Sequence, residues 1–246
     1  MTLAFRPQLS TEAVLAALEG VTAIPVVPYR NGEIDYDAHA MNVRYLMNSN
    51  SLDGNRARVI SIAGTSPVPN PLGGARQLIA ELATLQRAPD CYLIMPLSGV
   101  YDPDAVYNEY MALGEEMGDR FGARFVYYFK QPREMDAVVK LFRDSQEWIG
   151  VKVGTGIEDV TPLLSGVGDN GLIIWGIGDR STEAAKLGAK GHTSGIAVAY
   201  AKASDAINNA QRAGDFGESA RVEKAISGLE DIRFRNNRVY NYSAVV

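Results

Sequence analysis

The stretch WIGVKVGTG, residues 148–156, decides how the rest of the chain is read. Trp148, Ile149, Val151 and Val153 form an apolar, β-branched run of strand length, closed by the glycines of GTG. Continuous runs of this kind belong to parallel sheets whose two faces are both covered. Lys152 breaks the run with a compact, strongly hydrated cation. Two placements are open. The side chain either snorkels outward between helices or points into a barrel, near the mouth where chemistry takes place. Burial disfavours the ammonium form, so an inward lysine holds a fraction of free amine at neutral pH. A free amine in a dry pocket attacks ketones to give a Schiff base.

Outward from this stretch, strand-like and helix-like segments alternate. TAIPVV (22–27), RVISIAG (58–64), CYLIMP (91–96) and RFVYYF (124–129) read as strands upstream. LIIWGI (172–177) and KGHTSGIAV (190–198) read as strands downstream. Between them lie helical patterns at 35–48 and 75–86, and a third begun by Asp102 and Pro103. EMDAVVKLFRDS, IEDVTPLLSGV and STEAAKLG continue the series, and the tail from about 200 to 230 reads as helical. Val/Ile-rich strands separated by helices imply a parallel sheet covered by helices. An open doubly wound sheet lacks its usual signature here, because VVPYRNG carries one glycine and GVKVGTG is not followed by GKS or GKT. A TIM-type (β/α) barrel is the better reading. It occupies 1–200, with 201–246 as a C-terminal helical extension of the same domain. PVPNPLGG (67–74) fits either a long loop on the active-site face or a rigid surface turn.

Composition narrows the partners. The 246 residues are 46% hydrophobic and 22% charged, ordinary values for a globular chain with one sizeable core. A net charge of −5 argues against a nucleic-acid footprint, and the basic segment RFRNNR (233–238) reads as a solvated stretch. The single cysteine, Cys91, lies in an apolar run and is expected to act as a small hydrophobe. Two histidines, His39 and His192, with no clustered Cys/His spacing make a zinc site improbable, so no metal is expected. MTLAFRPQLS lacks the apolar core of a signal peptide, and no apolar run approaches membrane-spanning length. The expected setting is a reducing cytoplasm, with no membrane partner.

The segments GVTAIPVVPYRNGEIDYDAHAMNVRYL, YYFK, IGVKVGTG and WGIGDRSTEAAKLGAKGHTSGIA, taken in order, resemble the dihydrodipicolinate synthase/N-acetylneuraminate lyase family. The resemblance implies a (β/α)8 barrel, usually homotetrameric, that binds pyruvate or another 2-keto acid as a Schiff base on the lysine of an I-G-x-K context. Here that lysine is Lys152, and no cofactor beyond the covalent imine is implied. The family also uses a tyrosine at the end of its fifth strand. In VYYFKQP (126–132), counting back from Pro132 selects Phe129, whereas reading Y-F-K as a variant of the pattern selects Tyr128. Residues 128 and 129 point to opposite faces, and Tyr128 is the preferred match. By the same resemblance GIGD (176–179) contributes Gly178 and Asp179 to the pocket, and GHTSGIA (191–197) contributes Ser194 and Gly195. Small residues there let a ligand approach the main chain, or simply permit tight turns. His192 beside them is either an acid/base group or a satisfied structural histidine.

The departures from the family pattern bear on function. Val27-Pro28 stands where a Thr-Pro pair is usual, and Leu97 and Ser98 stand where aromatic hydroxyls are common. An arginine-bearing loop is absent or shortened, although Arg133 lies nearby. AGTSPVP (63–69) sits where the third strand ends rather than the second, so one strand–helix pair is missing and about seven strands are expected instead of eight. Either Gly64, Thr65 and Ser66 take over the keto-acid carboxylate, or the barrel is altered at this point. The leading expectation is a lyase, aldolase or dehydratase acting on pyruvate or a 2-keto(-3-deoxy) acid, as a dimer or tetramer. The rival is a non-catalytic relative that binds a keto acid or serves an assembly role. A weaker third is a phosphate-binding barrel using the main-chain amides of GIGDRS or VGTG.

Overall fold

The structure, a computed structural model, describes residues 6–54, 56–60, 71–96 and 102–238. Helix α1 (Thr11–Leu18) opens the described chain and leads into strand β1 (Val21–Ala23). Pro25 and Pro28 lack the N–H a ladder requires, and the expected strand at 22–27 stops at Ala23. RNGEID forms a β-hairpin, β2 (Tyr29–Arg30) with β3 (Glu33–Ile34), whose turn residues Asn31 and Gly32 both have positive φ. Helix α2 (Tyr36–Asn48) is capped by the Asp35 carboxylate, which accepts from the N–H of Ala38.

Strand β4 (Val59–Ile60) and helix α3 (Pro71–Leu82) follow. Helix α3 starts four residues earlier than expected, with Pro71 at its first turn, so part of PVPNPLGG is helical. Strand β5 (Tyr92–Ile94) precedes α4 (Pro103–Phe121), capped by Asp102 as the sequence predicts and closed by Gly122 in a left-handed conformation. Strand β6 (Phe125–Phe129), a 3-10 turn at Pro132–Glu134, α5 (Met135–Asp144) and β7 (Trp148–Val153) come next. The chain continues through α6 (Val160–Val167), β8 (Leu172–Trp175), α7 (Thr182–Lys186) and β9 (Gly191–Ser194). Helices α8 (Ala197–Arg212), α9 (Phe216–Ala225) and α10 (Ser227–Arg238) complete it. Seven strands run parallel, and the fold is of the TIM-type (β/α) class with C-terminal helices that the sequence predicts. No helix among the described residues is long and apolar enough to cross a membrane.

The chain divides into two compact units. Unit one comprises Met1–Ala16 with Thr65–Ile173. Within it β5 pairs with β6 and β6 with β7, all in parallel. Its core is aromatic. Tyr110 of α4 stands edge-on to Tyr127 (centroids 5.0 Å apart) and to Trp148 (5.3 Å), and Phe125 lies against Trp148. Each such pair adds about 0.5–1.5 kcal/mol beyond the area it buries. The indole Nε1 of Trp148 donates to the Tyr110 carbonyl, so the buried N–H is satisfied. Cys91, just before β5, has a free thiol, pushed up to about 11 by burial and then by the Asp90 charge.

Unit two comprises Ala17–Gly64 with Ile174–Val246. In it β1 pairs with β4 on one side and with β9 on the other, and β9 pairs with β8. Helix α8 packs against β1, β9 and α2. The short link from α2 to β4 is pinned to α8 by a buried ion pair between Arg58 and Asp205 (Nη2–Oδ2 2.5 Å). Arg58 donates further to the Leu46 carbonyl and to Ser49, while Asp205 also accepts from the N–H of Ser51.

Candidate functional site

In unit one the register between β6 and β7 places Tyr128 beside Lys152 and Phe129 beside Val153. Neighbouring residues in a parallel pair point to the same face. Tyr127 and Trp148 pack onto α4, so their face is the helix-covered one, and Tyr128 with Lys152 take the opposite face. Strict alternation along β7 would put Trp148 and Lys152 on one face. A register irregularity at Phe125/Val126, where Phe125 pairs with Trp148 but Val126 with Gly150, breaks that alternation. Trp148 therefore turns to the helices while Lys152 turns away from them.

Lys152 and Tyr128 are each 6% exposed. The Lys152 Nζ lies 4.3 Å from the centroid of the Tyr128 ring, and Lys130 Nζ lies 5.1 Å from the same centroid. Phe129, the competing match, is fully buried beside Val153 on the face of Tyr127. A Cβ at Gly154 would stand 2.4 Å from Tyr128 Cε2 and 3.1 Å from its hydroxyl oxygen. The phenol thus occupies the space a side chain at position 154 would need, and the first glycine of GTG is there to admit it. Thr155, between the two glycines, carries a buried hydroxyl for which no hydrogen-bond partner is present among the described residues. Attention to the glycines of GTG alone passes over this threonine, although a hydroxyl three residues after the strand lysine is the available signal.

Gly64, Thr65 and Ser66 lie outside the described residues, as do Leu97 and Ser98. The remaining expected residues come together in unit two, at the C-terminal ends of β8 and β9. Asp179 is fully buried and accepts from the Ser194 hydroxyl (2.9 Å) and the Ile196 N–H (3.1 Å). Its other oxygen faces His192 Nε2 at 3.4 Å. Burial pushes the Asp179 carboxyl up, but His192, Ser204 and the Ile196 N–H outweigh it and hold the group below the usual carboxylate range. Ser194 also bonds Ser204 and accepts from the Ala197 N–H at the start of the following helix. With His192 at 0% exposure, this constellation fixes the turn after β9. The turn after β8 is fixed from α9, where Glu223 accepts from the N–H groups of Ser181 and Thr182.

Gly178 has φ +71, which favours glycine. A Cβ there would meet Arg233 Nη2 at 2.1 Å, and a Cβ at Gly195 would meet Arg233 Nη1 at 2.3 Å. The two glycines frame a cradle, and the Arg233 guanidinium of α10 fills it. RFRNNR, which the sequence suggests is solvated, therefore begins with an arginine only 5% exposed. Among the described residues no group of three or more His, Cys, Asp or Glu side chains could hold a metal ion.

Residues 133–245 match the model of the dihydrodipicolinate synthetase family. No curated protein matches the chain. Among solved structures the chain is similar to a dihydrodipicolinate synthase from Oceanobacillus iheyensis, at 20% identity and TM-score 0.73, over 93% of this chain and 85% of that one. It is also similar to one from Thermotoga maritima, at 17% identity and TM-score 0.75, over 89% and 84%. A third, from Aquifex aeolicus, shares 16% identity at TM-score 0.72, over 89% and 84%. At such identities the likeness carries the fold. Lys152, Gly178, Asp179, Ser194 and Gly195 fall within the matched residues, whereas Tyr128 precedes them.

Proposed function

We propose that this chain, a member of the dihydrodipicolinate synthetase family, is a Schiff-base-forming lyase, an aldolase or dehydratase, acting on pyruvate or a 2-keto(-3-deoxy) acid. The observation that supports this best is the buried amine of Lys152 held 4.3 Å from the ring of Tyr128. Lys152 Nζ adds to the C2 carbonyl of the keto acid, and the carbinolamine loses water to give a protonated imine. The imine withdraws electrons from C3, so a proton leaves C3 or a C3–C4 bond breaks with the electrons passing to nitrogen. Tyr128 carries the proton to and from the reacting atoms through its phenol. Hydrolysis of the imine returns the free amine. No cofactor enters these steps, because the lysine itself supplies the electron sink.

Thr155 adds a hydrogen-bonding hydroxyl next to the lysine strand, suited to a hydroxylated substrate chain. A homo-oligomer, dimer or tetramer, belongs to the same reading and is tested by light scattering of the purified chain. The test of the chemistry is borohydride reduction in the presence of pyruvate, read by intact mass and peptide mapping. The expected result is a single adduct on Lys152, absent in Lys152→Ala. The rival reading, a keto-acid binder without catalysis, draws support from Arg233 filling the Gly178–Gly195 cradle. No adduct with pyruvate or any 2-keto-3-deoxy acid decides for the rival.

A further inference from the structure

Helix α10 is docked the wrong way round for a surface helix. Among its described side chains the buried ones are a charged pair, Glu230 at 1% and Arg233 at 5% exposure, while Leu229 of the same helix is 36% exposed. Arg233 Nε donates to Glu230 Oε1 at 2.8 Å and Nη2 to Oε2 at 3.3 Å, the two-pronged geometry with which a guanidinium receives any carboxylate. The outer face of the helix is tied to the turn after β8, where Arg180 pairs with Asp231 and lies over the Phe234 ring. Burying an ion pair costs more solvation than the pair returns unless its surroundings are very favourable. Here they are not. Burial pushes the Glu230 carboxyl up, and the charge of Asp179 pushes it the same way, against the pull of Arg233 and of Arg180.

The position of the pair is as informative as its cost. The guanidinium rests on the bare main chain of Gly178 and Gly195, at the C-terminal ends of two adjacent parallel strands. In barrels of this class that end of the strands carries the ligand-binding loops. We infer that Arg233 is an anchor in unit two for a small carboxylate ligand, and that Glu230 is an internal carboxylate occupying the anchor until such a ligand displaces it. The inference rests on the keto-acid reading only for the class of ligand, a small carboxylate. Displacement exchanges one carboxylate for another on the same guanidinium and frees Glu230 to reach water, so α10 loosens as the ligand enters.

Calorimetric titration of the full chain tests this with lactate, which has the carboxylate but no ketone, and with methyl pyruvate, which has the ketone but no free carboxylate. If Glu230 holds the competent state to about a tenth of molecules, Glu230→Gln binds lactate about tenfold more tightly than the native chain. Arg233→Gln abolishes lactate binding, and methyl pyruvate binding is indifferent to both substitutions. Hydrogen exchange on the native chain gives a readout that needs no variant, with exchange across 227–238 rising on saturation with lactate. Equal lactate affinity in native and Glu230→Gln chains, lactate binding that survives Arg233→Gln, no lactate binding at all, or slowed exchange in α10 each overturns the inference. Borohydride trapping with pyruvate is scored separately. Failed trapping with a Glu230-dependent lactate response removes the imine reading alone, and the converse removes this inference alone.

Discussion

Lys152 and Tyr128 are register partners on adjacent parallel strands, with the amine of one 4.3 Å from the ring centroid of the other. The relationship is built into the main chain, because the two residues pair across the ladder rather than meeting through long flexible side chains. In the proposed mechanism Tyr128 carries protons after the amine has attacked. Tyr128→Phe should therefore leave borohydride-trapped adduct on Lys152 in place while turnover falls by about 10²–10⁴-fold. Loss of the adduct itself in Tyr128→Phe, with the fold intact by circular dichroism, would assign the tyrosine to binding instead.

Gly154 supplies the wall against which the phenol lies. Adding one methyl group there places a carbon 2.4 Å from Tyr128 Cε2, a distance that real side chains do not tolerate, so the ring has to move. Overpacking of this kind costs about 1–3 kcal/mol. Gly154→Ala should lower the urea midpoint accordingly and slow imine formation with pyruvate, both relative to native. Unchanged stability and an unchanged trapping rate would mean that the phenol does not need this wall.

Strands β5, β6 and β8 are legible because each is a continuous apolar run, and β7 occupies 148–153 as its sequence predicts. What escaped the sequence has identifiable causes. Helix α1 buries just Val14 and Leu18, one turn apart, a signal too short to stand out although Ser10 caps it by accepting from the Ala13 N–H. The choice between Tyr128 and Phe129 depends on which face Lys152 takes, and the irregularity at Phe125/Val126 that shapes this is a property of pairing. Helix α10 defeats hydrophobic patterning, since the residues it buries, among those described, are Glu230 and Arg233. Asp179, Ser194, Gly178 and Gly195 could be picked out by resemblance, but their partner Arg233 could not, because it arrives from a segment whose composition reads as solvated.

Glu134 gives the fold a pH dependence of known sign. Its carboxyl is 1% exposed, accepts from the Tyr127 hydroxyl at 2.7 Å, and has one oxygen without a partner among the described residues. Burial raises it above the ordinary carboxylate range, against the opposing effects of Tyr127 and Arg133. A raised carboxyl contributes its stability fully below the unfolded-state value, and loses it as pH climbs through the folded-state value. Glu134→Gln keeps an acceptor for Tyr127 and removes the charge. In urea titrations between about pH 5 and pH 8 the variant should gain on the native chain as pH rises. A constant difference across that range would show that the buried carboxyl is not the titrating group.

The link between α2 and β4, where the sequence lacks a strand–helix pair of the family it resembles, is held by Arg58 and Asp205, both buried. Asp205→Ala leaves a buried guanidinium with its carbonyl acceptors and no counter-charge, a change that costs about 3–5 kcal/mol. It also strips the Ser51 N–H of its acceptor. Replacing both charges together, as in Arg58→Met with Asp205→Leu, removes the pair along with its desolvation cost, so the double variant should recover most of the loss. The measurement is the urea midpoint of the native, single and double variants at fixed pH. A single variant within about 1 kcal/mol of native would show that the shortened link is held by its main-chain contacts, because an orphaned buried charge cannot be that inexpensive.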